Sequence, residues 1–71
     1  MNESQRCVLD ALSLTDSAAR YGFTSSIGRT YIVAALGFAA NARTRARTRD
    51  EKRVAKSLVK LARKLADSPG F

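Results

Sequence analysis

The sequence predicts an all-α protein, a small bundle of about three helices that pairs as a homodimer, and three observations lead there. Ala, Leu, Arg and Lys dominate, all of them favour helix, and no strand-like alternation interrupts them. Only Pro69 and four glycines punctuate the 71 residues. Apolar residues recur at spacings of three and four, the helical period. The length suffices for one domain, 1–71, and not for two.

The first element opens at Asn2, which with Gln5 three residues later forms a capping-box pattern. Val8, Leu12, Thr15 and Ala19 then give one narrow stripe. Ser13 and Asp16 are a second possible cap, which leaves one helix or two short ones open. Asp16 and Arg20 stand at i, i+4, the spacing of a helical ion pair. Gly22 ends the element, since glycine readily takes the left-handed conformation that closes a helix.

The second element starts from the N-cap candidates Thr24, Ser25 and Ser26 and runs to about Asn41. Its centre, Tyr31 to Ala40, is apolar on every side, and a helix apolar all round must be covered all round. Two other short helices can hardly cover it, so a second copy is expected to do so. Tyr31, Ile32, Ala35, Leu36, Phe38 and Ala39 are the expected dimer or partner interface, with small neighbours allowing close approach.

The stretch 42–48 alternates Arg with small or polar residues and fits either a flexible basic link or a continued helix. Thr48 with Glu51 is a second capping box, and Asp50 and Glu51 suit the first turn of a third helix. That helix runs to about Ala66 and stops at Asp67-Ser68-Pro69-Gly70. Val54, Leu58, Leu61 and Leu65 form its aliphatic seam, and a broad cationic arc lies opposite.

Charge divides the chain in two. The 13 Lys and Arg against 6 Asp and Glu leave a net +7. Arg6, Arg20 and Arg29 balance Glu3, Asp10 and Asp16, so the apolar body at about 1–41 is neutral. The basic segment and helix at about 42–67 hold Arg43, Arg45, Arg47, Arg49, Lys52, Arg53, Lys56, Lys60, Arg63 and Lys64 against Asp50, Glu51 and Asp67. These ten bases are the candidate nucleic-acid-binding residues. A row of like charges at i, i+4 (Lys52, Lys56, Lys60, Lys64) costs a few tenths of a kcal/mol per pair and is easier to understand beside an anion. Phosphate suits such a face, and no aromatic residue lies between Ala39 and Ala66 to stack on bases.

Other chemistry is scarce. With no His and a single Cys there is no catalytic triad, no zinc cluster and no intrachain disulfide, so the expectation is a non-enzyme with no catalytic residues, no metal, no cofactor and no small-molecule substrate. Cys7 beside Arg6 is expected to be an inert reduced thiol. The polar start (Asn2, Glu3, Gln5, Arg6) shows no export leader, and the ten-residue apolar run is half of what a bilayer span needs, so a cytoplasmic location is expected.

The segment Ala18-Ala19-Arg20-Tyr21-Gly22-Phe23-Thr24-Ser25-Ser26 resembles the turn of the helix-turn-helix family over about 20 residues. The shared features are a small residue, then glycine, an apolar residue and a polar cap. The resemblance implies a second helix lying in the major groove and entered by Arg29 and Thr30. The pattern departs at Gly28, where that family usually places an aliphatic residue, and the segment beyond Thr30 is almost wholly apolar.

Three functions follow in order. The first is a regulatory protein that binds nucleic acid mainly through phosphate. The second is an interaction module or inhibitor of the phage or plasmid type, which blocks a host regulatory protein through an acidic surface steered by the arginines, or through the apolar run. The third, an amphipathic helix on an anionic membrane, is disfavoured by a narrow seam without Trp or Phe.

Overall fold

A computed structural model describes residues 2–67 and contains three helices, α1 (Glu3–Tyr21), α2 (Ser26–Arg45) and α3 (Arg49–Asp67), with no strand among the described residues. Each start is fixed by a side-chain cap. The Gln5 N–H donates to Asn2 Oδ1 at 2.9 Å and the Asn2 N–H to Gln5 Oε1 at 3.2 Å, the two halves of a capping box. Ser25 Oγ accepts from the Gly28 N–H at 2.9 Å, capping α2. Thr48 Oγ1 accepts from the Glu51 N–H at 3.1 Å, and Glu51 Oε1 accepts from Thr48 in return at 3.0 Å. Ser13 and Asp16 start no second helix: α1 is continuous, and Asp16 pairs with Arg20 at 3.3 Å. The expected stop at Ser68-Pro69-Gly70 lies outside the described residues.

Gly22 closes α1 with φ +90° and donates its N–H to the Ala19 carbonyl at 3.3 Å. The chain then reverses. Ser4 Oγ, buried at one end of the hairpin, donates to the Ala42 carbonyl at 3.0 Å, while Gly28 lies against Gly22 at the other end. The two helices therefore run antiparallel along their full length. That departs from the helix-turn-helix resemblance, whose helices cross at about 90–120°. The likeness ends at the turn glycine.

The core is built from small residues. Ser4, Ala11 and Ala18 on α1 and Gly28, Ala35 and Ala42 on α2 are all buried and recur every seven residues. The Ser4–Ala42 bond sets a register in which Ala11 stands level with Ala35 and Ala18 with Gly28. A seven-residue repeat keeps one seam facing its neighbour, and small residues let the backbones draw close. α3 packs mainly on α2 and also meets α1, with Ala55, Leu58, Val59 and Ala62 buried. Ala11, Ala39, Leu58 and Val59 form the core cluster, with Val8 and Leu36 packed on it.

Three expectations need correction. The α1 stripe is centred on Ser4, Ala11 and Ala18; Val8 and Thr15 lie at its edge, and Leu12 and Ala19 are exposed. On α3, Val54 and Leu61 are exposed, because the helix turns Ala55, Leu58, Val59 and Ala62 inward instead. Ile32, Ala35 and Ala39, expected to meet a second copy, are covered by the chain's own α1 and α3. Tyr31 and Leu36 are half-buried, Tyr31 stacking on Tyr21 with centroids 5.7 Å apart, and Phe38 stays exposed. α2 is not covered all round, since Val33, Ala34, Gly37 and Ala40 are also open.

The 42–48 stretch is divided: α2 continues through Arg45, and Ala46–Thr48 form the corner into α3. No helix among the described residues is long and apolar enough to cross a membrane.

Candidate nucleic-acid interface

The cationic surface is the outer face of α3. At 100° per residue Arg49, Lys52, Arg53, Lys56, Lys60, Arg63 and Lys64 fall within one arc of about 120°, away from the stripe buried against α2. All seven are exposed. The face runs about 22 Å along the helix at 1.5 Å per residue. Asp67 is the one carboxylate in this arc among the described residues, and it stands at the C-terminal end.

The ten candidate bases divide by environment. Arg45 is paired with Glu3 at the start of α1. The other nine form no ion pair among the described residues. Arg43 is exposed in the last turn of α2, close in sequence to the start of α3. Arg47 is exposed in the corner, where its N–H donates to Glu51 Oε1 at 3.2 Å.

Glu51 is withdrawn from the cationic face by its own partners. It accepts from the Asn2 side-chain amide and from the N–H groups of Thr48 and Arg47. The Asn2 bond first, then the Thr48 and Arg47 N–H bonds, lower its pKa below the ordinary glutamate value, by more than slight desolvation raises it. No similar protein explains this arrangement. No family profile matches the chain, and neither a curated protein nor a solved structure is similar to it.

Two residues have roles the sequence pattern did not assign. Arg29 Nη2 donates to the Ala66 carbonyl at 3.2 Å, so it holds the C-terminal turn of α3, where a cation suits the helix dipole. Ser4 ties α1 to α2, as described above. A small-residue heptad at 4, 11 and 18 would have pointed to Ser4. Arg29, 37 residues from its acceptor, leaves no such signal.

Proposed function

We propose that this protein binds nucleic acid mainly through phosphate contacts made by the outer face of α3 and the adjoining Arg43, with a pair of chains presenting two such faces. One observation carries the reading: seven exposed bases share one helical arc with no carboxylate of the described chain paired to them. Arg holds phosphate in a bidentate fork and Lys as a point charge, so the mixture grips a backbone without reading bases. Pairing raises avidity through the second face without new chemistry.

Association with duplex DNA measured across 50–300 mM salt tests this. About five neutralised phosphates give a log–log slope near −4.5. The double variant Lys56→Glu/Lys60→Glu, with both positions exposed, lowers affinity at every sequence and flattens the slope by about 2. A flat plot for the parent protein, or no association at low salt, ends the proposal.

Exposed Val33 and Phe38 on α2 favour a second reading, an interaction module that docks on a regulatory protein. A pull-down from nuclease-treated lysate separates the two: retention of one defined protein, lost on Phe38→Ala, supports the second.

A further inference from the structure

We propose that the open groove between α1 and α3 is the seat of a second copy of this chain, packed antiparallel about a two-fold axis near Ser57. This proposal does not rest on nucleic-acid binding.

The groove exists because α1 and α3 each pack on α2 and only lightly on each other, leaving a flattened cross-section of 19 × 13 Å. At one end Val8 and Leu9 of α1 face Val54 of α3, with Asp50 and Glu51 beside them. At 100° per residue Leu12 falls between Val8 and Leu9 around α1, and Leu61 falls within about 20° of Val54 around α3, so both extend this flank beyond the groove. Leu9, Leu12, Val54 and Leu61 are 50%, 47%, 49% and 47% exposed. Seven of the ten buried core residues, by contrast, are alanine or smaller than leucine by at least two carbons: Ala11, Ala18, Ala35, Ala39, Ala42, Ala55 and Ala62. The monomer thus builds most of its core from alanine and leaves three leucines and a valine exposed on one flank, an unusually apolar patch for a small surface.

The pattern along α3 selects a copy of the same chain as occupant. Asp50 and Lys64 lie seven residues either side of Ser57, and Val54 and Leu61 lie three before and four after it. An antiparallel two-fold at Ser57 therefore sets Asp50 opposite the second copy's Lys64, twice over, and leaves Val54 and the second copy's Leu61 one residue, about 1.5 Å, out of step and still within side-chain reach. One axis satisfies both the charged and the apolar pairs, as an isologous contact requires. A heterologous partner would need no such symmetry. Ser57 is small enough for close approach at the axis. The whole molecule extends 36 × 19 Å along its two longer axes, so an interface of roughly 800 Å² per partner would take up most of its broad side.

Sedimentation equilibrium of the purified protein without nucleic acid tests the proposal. The parent chain is expected to dimerise. Leu12→Glu and Leu61→Glu raise the dissociation constant more than tenfold, with helicity by circular dichroism unchanged because both sites are exposed. Asp50→Lys and Lys64→Asp each weaken the dimer, and their combination restores it. Dilution of isotope-labelled parent protein, which needs no variant, shifts the amide signals of Leu9, Leu12, Val54 and Leu61. A parent chain monomeric at about 500 μM, a dimer indifferent to both Leu variants, or dilution shifts confined to Val33 and Phe38 would each overturn it.

Discussion

Two glycines of the same helix should respond to the same substitution with opposite signs. A Cβ built on Gly28 would stand 1.8 Å from the Gly22 carbonyl oxygen and 2.8 Å from its carbonyl carbon, both backbone atoms. One built on Gly37 meets nothing within 4 Å. Glycine to alanine in a helix interior is worth about 1 kcal/mol in favour of folding. At Gly37 nothing opposes that gain, and Gly37→Ala should stabilise by about 1 kcal/mol. At Gly28 the alanine must push α2 off the turn. Gly22 at φ +90° has little room to yield, because its carbonyl also accepts from Ser25 Oγ at 2.9 Å and the Ser25 N–H at 3.1 Å. Overpacking of this kind costs about 1–3 kcal/mol, and loosening the turn bonds costs about 1 more. After subtraction of the propensity gain, Gly28→Ala should destabilise by about 2 kcal/mol. At about 4–8 °C per kcal/mol for a domain this small, Tm falls by about 8–16 °C for Gly28→Ala and rises by about 4–8 °C for Gly37→Ala. Thermal unfolding followed at 222 nm, at one protein concentration, measures both. A Gly28→Ala protein as stable as its parent would refute the close approach of α2 to the turn.

Ser4→Ala removes the buried hydroxyl that donates to the Ala42 carbonyl; urea unfolding should show a loss of about 1 kcal/mol, while Ser57→Ala on the exposed face of α3 changes little. Thr48→Ala deletes the cap of α3 and should cost about 1 kcal/mol by the same assay, with the loss of amide protection concentrated at Glu51 and Lys52. Because the folded-state pKa of Glu51 is lowered, its contribution to stability is complete above the ordinary glutamate range. It is lost as pH falls through the lowered folded value, so the urea midpoint of the parent should drop more on acidification than that of Glu51→Gln. Asn2→Ala removes the largest cause of that shift, and an NMR titration should find the Glu51 carboxyl closer to its ordinary pKa.

Capping chemistry made much of this fold legible. Asn2 with Gln5, the cluster Thr24, Ser25 and Ser26, and Thr48 with Glu51 are local signals, and the helices start from Asn2, Ser25 and Thr48. Gly22 closes α1 for an equally local reason. Which face each helix buries was harder to read. Large aliphatic residues give the strongest periodic signal, so Val8–Leu12 and Val54–Leu61 stood out, yet Leu12, Val54 and Leu61 are exposed. The decisive residues were Ser4, Ala11, Ala18, Gly28, Ala35 and Ala42, whose value is how little space they occupy. Small size matters only when the opposing helix is small at the same level, which is a property of register between two segments. For the same reason Ile32, Ala35 and Ala39 could not be assigned to the inside from their own helix alone. The cationic arc of α3 was legible because it depends on one helix and one period.

An alanine core has a consequence for the outside of the molecule. Each buried alanine removes far less apolar surface from water than a leucine would, so the bundle gains close backbone packing at the expense of hydrophobic stabilisation. The aliphatic side chains that would have supplied it, Leu9, Leu12, Val54 and Leu61, line one flank instead. On α3 that flank is centred about 130° around the helix from the middle of the cationic arc at 100° per residue. A separation of that size matters electrostatically. Two copies joined through the cationic faces would oppose seven bases to seven, whereas two copies joined through the aliphatic flank keep both cationic faces turned outward and open to a polyanion. The proposed self-association and the proposed phosphate contacts thus meet only at Lys64, at the edge of the cationic arc, and the other six bases stay open when the aliphatic flank is covered.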